Sequence, residues 1–282
     1  MLARIFSTLI IWTIAVFAII YGKSYGFATL ITLLSLAVNH EICTLLRKVE
    51  YKPILWYIQV ATILIFACTL IPTPTTNFWI GDLIFATTLI PLFILIVKDP
   101  YGNYIKQTIA PTIATIFISP FMLKFYVLVA SVDVSGYENI MFAVWIIAAA
   151  KFSDIGAYVI GCAFGRHKMA PTMSPNKTWE GAVGGVLSSA VIGASFAWIC
   201  GKYGIFWKEI TPVLAAIISI PIAMVAIVSD LLESVFKRRM GVKDSGAIIP
   251  GIGGAFDLAD SLILCAPLAY ATFLLLGLYQ TV

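Results

Sequence analysis

Nine long apolar runs constrain this chain more than any other feature of its sequence. Each run holds roughly 20 mostly apolar residues, the length that an α-helix needs to cross a bilayer. They cover about 2–21, 26–46, 54–72, 78–97, 108–131, 140–163, 181–200, 211–231 and 253–279. The runs are continuous, whereas transmembrane β-barrel strands alternate over about 10 residues. We therefore predict an all-α polytopic membrane protein, a bundle of about nine transmembrane helices joined by short loops.

The composition supports the same class of protein. Of 282 residues, 61% are hydrophobic and 11% are charged, whereas about 25% of a soluble domain is charged. A fold of this size cannot bury so much apolar surface in its own core. The composition therefore excludes a soluble enzyme, a nucleic-acid-binding protein and a disordered scaffold, so we expect membrane lipid and no nucleic acid among the partners.

Basic residues between the runs predict the orientation. If the N-terminus is cytoplasmic, thirteen Lys and Arg residues lie on the inner side and three on the outer side, which fits the positive-inside rule. The outer three are Lys23, Lys202 and Lys208. We predict an N-in/C-out topology with the two longest polar connections in the cytoplasm. The lack of a long soluble extension favours a bacterial inner membrane.

The first polar region runs from Lys151 to Gly181. Asp154 lies inside the sixth run, and an ionisable residue at such a position is a candidate for function. On a helix it shares a face with Ala157, Tyr158 and Gly161. The alternative is that Asp154 pairs with Lys151, one turn away, and only neutralises its charge.

The stretch Ser174–Gly181 closes this region and opens the seventh run. Lys177 could there bind an anion, because free backbone N–H groups at a helix start already favour negative charge. The alternative is that Lys177 forms an ion pair with Glu180.

The second polar region runs from Ser229 to Ser261. On a helix that leaves the eighth run, four polar residues lie three and four positions apart: Asp230, Glu233, Ser234 and Lys237. Asp257 and Asp260 lie three apart at the entrance of the ninth run, after a glycine-rich turn that contains Gly253 and Gly254. Because the loop returns the chain to the next run, we expect Asp230 to face both aspartates.

These residue types together indicate phosphoryl-group chemistry. Carboxylates at membrane depth repel one another unless cations or protons intervene, and Mg²⁺ binds carboxylates together with substrate phosphates. Neighbouring Lys and Arg side chains hold phosphate oxygens, and glycines allow close approach of a bulky anion. Taken singly, the basic loop is typical of a topology determinant or a lipid-headgroup contact. The aspartates could also form a cation-transport site, and a membrane scaffold would leave the carboxylates unexplained.

The second region reads Ser234-x-x-Lys237-Arg238-x4-Lys243-Asp244-x-Gly246-x-x-Ile249-Pro250-x-x-Gly253-Gly254-x-x-Asp257-x-x-Asp260. This pattern resembles the C-terminal signature of the phosphatidate cytidylyltransferases, also called CDP-diacylglycerol synthases. The stretches 229–234 and 174–181, and Asp154 with its neighbours, look like other blocks of that family. The motifs lie in about 151–261, and the earlier spans match only in hydropathy.

The resemblance implies that CTP and phosphatidate react to give CDP-diacylglycerol and pyrophosphate, with a lipid phosphate oxygen attacking the α-phosphorus of CTP. It implies that Asp230 and Asp257 bind Mg²⁺, with room for a second cation, and that Asp260 and Lys237 complete the catalytic set. Substrate contacts would come from a larger group: Asp154, Ser174, Lys177, Ser234, Arg238, Lys243, Gly253 and Gly254. The division implied is 1–139 for N-terminal membrane helices and 140–282 for the catalytic part, and a homodimer is a further option.

Two positions depart from the family pattern. Ile252 stands where the family usually has histidine, and Leu258 stands where it usually has arginine. The carboxylates and the Lys237-Arg238 pair are kept, so we expect metal and phosphate binding to persist. The departures leave the lipid substrate open, and the alternatives are a cytidylyltransferase for another lipid phosphate and a cation-coupled transporter.

Overall fold

The chain is built almost entirely of helices. A computed structural model describes residues 2–70, 77–98, 102–131, 137–171, 173–246 and 253–278. The elements in chain order are α1 (Leu2–Lys48), α2 (Leu55–Thr69), α3 (Asn77–Lys98), a π-helical turn (Ile105–Ile109), α4 (Ala110–Ile116), a second π-helical turn (Phe117–Phe121), α5 (Met122–Ser131), α6 (Glu138–Phe164), β1 (Lys168–Ala170), β2 (Ser174–Thr178), α7 (Trp179–Lys202), α8 (Pro212–Arg239) and α9 (Ala255–Leu275). The helical class predicted from the apolar runs is confirmed.

Six helical stretches of the described chain are long and apolar enough to cross a membrane. They are Ile10–Lys48, Ile105–Ser131, Glu138–Phe164, Trp179–Lys202, Pro212–Arg239 and Ala255–Leu275. Two further apolar helices, Leu55–Thr69 and Asp82–Val97, are shorter. At 1.5 Å per residue, the 15 residues of α2 extend about 22 Å, less than the roughly 30 Å hydrocarbon core of a bilayer. The six long apolar stretches make this a multi-pass membrane protein.

Helix α1 is broken at Lys23, between the first two predicted spans. Lys23 has φ 47° and ψ −133°, which is not a helical conformation. A Cβ built on Gly26 would lie 1.9 Å from the carbonyl oxygen of Ala18, although residues eight apart in a straight helix are separated by about 12 Å. The chain therefore doubles back near Lys23, and only a glycine fits where the two arms meet.

The described chain divides into two compact units. The first unit comprises Met1–Ser131 and Met240–Ala259, and the second comprises Val132–Arg239 and Asp260–Val282. The first five residues of α9 thus belong to the first unit and its remainder to the second. The proposed functional division at residues 139 and 140 stays a prediction.

The first unit has an aliphatic core. Residues from α1, α2, α3 and the 105–116 stretch bury their side chains together, among them Cys43, Ile58, Ile65, Leu92 and Ile116. Large apolar residues on the N-terminal arm of α1, such as Ile14 and Phe17, are about half exposed. Exposed apolar side chains on a helix of this length are the surface that lipid covers.

The second unit packs α6, α7 and α8 closely together. One residue in every four of α7 is small, and this stripe is buried: Gly181, Gly185, Ser189, Gly193 and Ala197. A Cβ on Gly185 would lie 2.7 Å from the carbonyl oxygen of Ser153 on α6, and one on Gly193 would lie 2.0 Å from the hydroxyl of Ser219 on α8. Small residues thus allow the backbones to approach, as in other membrane helix pairs.

A short hairpin interrupts the helices between α6 and α7. Strand β1 pairs antiparallel with β2, with Lys168 opposite Thr178 and Ala170 opposite Ser174. These strands are not predicted from sequence, because the three residues of β1 and the five of β2 are too few to show an alternating pattern. Thr178 ends β2 and caps α7, because its hydroxyl oxygen accepts a hydrogen bond from the Gly181 amide at 3.1 Å.

Candidate active site

Three carboxylates of the second unit converge. Asp230 and Glu233 lie nearly one turn apart on α8, and Asp260 lies on the second-unit part of α9. One carboxylate oxygen from each lies within 4.8 Å of the other two. A side-chain hydrogen bond also joins the two helices here, because the Ser229 hydroxyl donates to the carbonyl oxygen of Asp260. The predicted approach of Asp230 and Asp260 is confirmed.

Each of these carboxylates lies beside an ammonium group. Lys177 Nζ is 2.7 Å from Asp230 Oδ2, and the side chains of both are about one quarter exposed. Lys237 Nζ is 2.9 Å from Glu233 Oε2, and only 3% of the Glu233 side chain is exposed. Such contacts stabilise carboxylates that would otherwise repel one another at this depth.

The third ammonium group, that of Lys151, contacts two carboxylates. Its Nζ lies 2.9 Å from Asp260 Oδ1 and 3.7 Å from Asp154 Oδ2. The predicted alternative that Asp154 pairs with Lys151 is therefore confirmed, but the pair is part of a larger group. We call this group the lysine–carboxylate cluster: Lys151, Asp154, Lys177, Asp230, Glu233, Lys237 and Asp260.

The β-hairpin holds Lys177 in the cluster. Lys177 is the fourth residue of β2, and the backbone amide of Trp179, at the start of α7, donates to the carbonyl oxygen of His167 at 3.0 Å. Glu180 accepts hydrogen bonds from the amides of Arg166 and His167, and its Oε1 lies 2.5 Å from the Nδ1 atom of His167. The alternative pairing of Lys177 with Glu180 is wrong, because Glu180 binds the loop before the hairpin and Lys177 extends to Asp230.

The remaining second-unit candidates surround the hairpin and α8. Arg238 is exposed at the end of α8, and its Nε donates to the carbonyl oxygen of Met173 at 3.4 Å. Ser174 begins β2, and Ser234 lies next to Glu233; both are half-buried. Arg238 thus lies beside the same hairpin that carries Lys177.

Asp257 belongs to the first unit and has a structural role there. It is the third residue of α9, and its Oδ2 accepts a hydrogen bond from the Gly254 amide at 2.8 Å. This is the return bond of a capping box, which satisfies an amide that the helix leaves without a partner. The Ser245 amide also donates to Oδ2, at 3.2 Å. The assignment of Asp257 as a metal ligand stays a prediction.

Gly253 and Gly254 lie against carboxylates of the protein itself. Gly253 has φ 118°, a conformation that favours glycine. A Cβ on Gly253 would lie 2.6 Å from Asp257 Oδ2, and a Cβ on Gly254 would lie 2.2 Å from Glu41 Oε2. Lys243, the other first-unit candidate, is exposed. Ile252 lies outside the described residues, and Leu258 is half-buried on α9.

Sequence reasoning left three charged residues out of its candidate site. Lys151 and Glu233 appeared in the motifs, and the structure places both in the lysine–carboxylate cluster. Glu41 was missed entirely, although a single acidic residue within the second apolar run is a signal in its own right. Its Oε1 accepts a hydrogen bond from the Ala255 amide, a residue 214 positions away.

The donor set fits a hard divalent cation. Carboxylate oxygens are the ligands that Mg²⁺ selects, with metal–oxygen distances of about 2.0–2.1 Å. Two ligands of one ion therefore lie up to about 4.2 Å apart, so small side-chain movements would bring three oxygens within 4.8 Å of one another onto one ion. The adjacent lysines could then contact an anionic substrate.

Comparison with known proteins identifies the family. The model of the cytidylyltransferase family matches residues 2–276, nearly the whole chain. This chain belongs to the cytidylyltransferase family. The match includes both the apolar helices of the first unit and the lysine–carboxylate cluster of the second.

Curated relatives carry a more specific name, phosphatidate cytidylyltransferase. The protein of Haemophilus influenzae is 37% identical over 131 residues, which cover 46% of this chain and 45% of the relative. That of Mycobacterium bovis is 33% identical over 178 residues, covering 62% and 53%. That of Brucella suis is 41% identical over 138 residues, covering 48% and 46%. This cytidylyltransferase-family chain thus spans about half the length of the curated relatives it matches.

Proposed function

We propose that this protein is a phosphatidate cytidylyltransferase that converts CTP and phosphatidate to CDP-diacylglycerol and pyrophosphate within a membrane. The observation that carries the proposal is the convergence of Asp230, Glu233 and Asp260 within 4.8 Å, surrounded by lysines. Membership in the cytidylyltransferase family and the names of the curated relatives support it. Membrane-spanning helices suit an enzyme whose substrate and product are both lipids.

The proposed reaction needs no protein nucleophile. A phosphate oxygen of phosphatidate forms a bond to the α-phosphorus of CTP, and the bond from that phosphorus to the bridging oxygen breaks. Pyrophosphate leaves with the electron pair of that bond. Catalysis of such a transfer rests on positioning and charge stabilisation, which a group of fixed charges can supply.

We propose that Asp230 and Asp260, with Glu233, hold Mg²⁺. When bound, the cation neutralises charge on the phosphates and on the leaving pyrophosphate. Asp257 remains a predicted ligand from the family signature, and a second cation remains part of the same prediction. Asp154 lies farther from Lys151 than Asp260 does, at 3.7 Å against 2.9 Å, so we assign it to orienting Lys151 beside the substrates.

The lysines have two successive partners in this proposal. Lys177 and Lys237 neutralise Asp230 and Glu233 in the structure. With a divalent cation held by the carboxylates, Lys177 and Lys237 would donate to phosphate oxygens of the substrates instead. Arg238, exposed beside the hairpin, suits a bidentate phosphate contact. Lys243, Ser174, Ser234, Gly253 and Gly254 remain proposed substrate contacts from the signature.

We also propose nine membrane crossings with an N-in/C-out orientation. The reversal of α1 near Lys23 supplies two crossings from one helix. The 22 residues of α3 extend about 33 Å, enough for one crossing, and the shorter α2 can cross where the bilayer thins locally. The excess of basic residues on the side of the polar motifs supports a cytoplasmic active site. We place the protein in a bacterial inner membrane, where CTP enters from the cytoplasm and lipid enters between helices. A homodimer is part of the same proposal.

A second candidate is a cytidylyltransferase for another lipid phosphate. Leu258 supports it, because a half-buried apolar side chain stands where the family usually has arginine. An arginine would bind phosphate oxygens bidentately, whereas leucine cannot. The transferred group and the cation site are the same in both candidates, so only the lipid acceptor separates them.

Incorporation of labelled CTP into lipid tests the proposal. Purified protein in detergent is incubated with Mg²⁺, labelled CTP and a panel of lipid phosphates that includes phosphatidate. We expect labelled CDP-diacylglycerol, and a fall of roughly 10²–10³-fold in Asp230→Asn, the cost of losing one key electrostatic contact. Glu209→Gln, at an exposed acid of the second unit, is the matched control and should keep full activity.

The other outcomes separate the alternatives. Label in a different lipid, with none in CDP-diacylglycerol, identifies the second candidate. No labelled lipid from any acceptor refutes a cytidylyltransferase, and cation-dependent uptake by the protein in vesicles would then favour a transporter.

A further inference from the structure

Glu41 is a buried acidic residue that accepts hydrogen bonds from three uncharged donors. It lies on α1 within the first unit, and 3% of its surface is exposed. The Ser245 hydroxyl donates to its Oε2 at 2.8 Å, the Ala255 amide to its Oε1 at 2.8 Å and the Phe256 amide to its Oε2 at 2.9 Å. We call these four residues the Glu41 cap.

The Glu41 cap satisfies the beginning of α9. The first amides of a helix have no partner within the helix, and a negative charge at that end is stabilised by the helix dipole. Glu41 binds the amides of Ala255 and Phe256, while Asp257 binds the amide of Gly254. The three successive amides of residues 254–256 are thereby held by two carboxylates. We call Ser245, Gly246 and residues 253–258 the signature segment.

Two glycines allow the signature segment to enclose this carboxylate. A Cβ on Gly246 would lie 2.6 Å from Glu41 Oε1, and a Cβ on Gly254 would lie 2.2 Å from Oε2. Both distances are shorter than real Cβ contacts, so a side chain at either position would have to displace the hydrogen-bonded carboxylate of Glu41. The segment therefore approaches Glu41 from two positions that are eight residues apart, and the sequence keeps both free of side chains.

We infer that Glu41 is a positioning residue for the cytidylyl transfer, and this inference rests on the proposed function. Its carboxylate fixes Ser245 and the start of α9, and so fixes the backbone that carries Gly253, Gly254 and Asp257. Glu41 does not touch a substrate in this account. It acts by holding the signature segment in one conformation.

The chemistry of the cap makes Glu41→Gln a sharp test. Three donors face the two carboxylate oxygens, whereas glutamine offers one acceptor oxygen and an NH₂ group. Whichever way the amide turns, the NH₂ group points at one or more N–H or O–H donors. The size of the side chain is almost unchanged, so a loss of positioning reflects lost hydrogen bonds and charge.

The control is Asn39→Ala, two residues earlier on the same helix. Asn39 is completely buried, and its Nδ2 donates to the hydroxyl oxygen of Thr62 at 2.8 Å. This substitution removes a buried hydrogen bond of the first unit without touching the signature segment. A stability loss that both variants share therefore reflects damage to the unit in general.

The experiment measures hydrogen exchange over 253–258 and steady-state kinetics on the same purified variants. In Glu41→Gln we expect those amides to exchange roughly 10- to 100-fold faster, the factor that matches the loss of a charge-assisted hydrogen bond. We expect kcat per folded molecule to fall about tenfold, with KM for CTP little changed. Asn39→Ala should keep both the protection and kcat.

Three results would overturn the inference. One is equal exchange in Glu41→Gln and wild type; another is faster exchange with an unchanged kcat; the third is an identical loss in Asn39→Ala. If Glu41→Gln does not fold, Ser245→Ala removes one donor and keeps the carboxylate, and unchanged exchange there contradicts the cap. If wild type labels no lipid, the proposed function fails, while the exchange data still decide whether Glu41 holds the segment.

Discussion

Asp230 and Glu41 are both carboxylates on long apolar helices, but their partners differ in kind. Asp230 lies 2.7 Å from the ammonium group of Lys177 and is about one quarter exposed. Glu41 is almost fully buried and binds two backbone amides and a hydroxyl. A lysine side chain can move away when a cation arrives, whereas backbone amides of a helix cannot move without the helix.

Acidic side chains of this chain therefore have two kinds of partner, ammonium groups in the cluster and uncharged donors in the Glu41 cap. In the lysine–carboxylate cluster, lysine side chains neutralise the carboxylates. Because these side chains can move, the cluster suits a site where a cation replaces the lysines on the carboxylates and the lysines bind phosphates. The Glu41 cap is balanced by fixed dipoles, so it suits a permanent structural bond. In the proposed function, acidic side chains thus serve chemistry in one unit and hold the backbone in the other.

Removal of divalent cations should have the largest effect on activity, and this effect should arise at the lysine–carboxylate cluster and not at the Glu41 cap. We expect a chelator to abolish transfer of labelled CTP to lipid, and added Mg²⁺ to restore it. The melting temperature should change little, because lysines neutralise the carboxylates without a metal. Activity that survives exhaustive chelation, or a large loss of stability, would break the distinction between the two regions.

A methyl group at Gly254 should damage the Glu41 cap. In Gly254→Ala the Cβ would lie 2.2 Å from Glu41 Oε2 and 2.1 Å from the Ser245 hydroxyl, and such overpacking costs about 1–3 kcal/mol in unfolding free energy. Gly201→Ala on α7 is the control, since nothing lies within 4 Å of its Cβ position. Equal stability of the two variants in thermal unfolding would argue against a tightly closed cap.

Lys177→Gln should have a smaller effect, which strengthens Mn²⁺ binding and weakens the interaction with CTP. A partly exposed ion pair contributes about 0.2–1 kcal/mol, so its removal should strengthen Mn²⁺ binding by up to about fivefold. KM for CTP should rise, because a proposed phosphate contact is lost. Titration calorimetry and kinetics check the two signs, and weaker Mn²⁺ binding would mean that Lys177 supports the cation instead of competing with it.

The sequence predicted what depends on local patterns. Apolar runs placed the helices within a few residues for α6, α7 and α9, and the first two runs end and begin on either side of the break at Lys23. Because the loop returns the chain from the eighth run to the ninth, Asp230 was expected to face Asp257 and Asp260, and Asp230 and Asp260 both contribute to the carboxylate group. One apolar run, 211–231, stops eight residues before α8 does, because the last two turns of α8 carry four charged residues.

The parts that escaped prediction depend on distant partners. The residues bound by Glu41 lie 204 to 215 positions away, so no pattern within α1 reveals them. The carboxylates of Glu41 and Asp257 lie against Gly253 and Gly254, a contact that no local pattern predicts, whereas the approach of an anionic substrate to these glycines stays a prediction. The pairing of Lys177 with Asp230 depends on the β-hairpin, whose strands are too short to be recognised from sequence.

Mn²⁺ binding measured by electron paramagnetic resonance tests whether the carboxylates of the cluster hold a divalent cation. Purified wild-type protein, Asp230→Asn and Glu209→Gln are titrated without nucleotide or lipid. We expect saturable Mn²⁺ binding in wild type and in Glu209→Gln. In Asp230→Asn the Mn²⁺ affinity should fall at least tenfold, because the ion loses one of its few charged ligands. Equal Mn²⁺ affinity in wild type and Asp230→Asn would contradict this cation site.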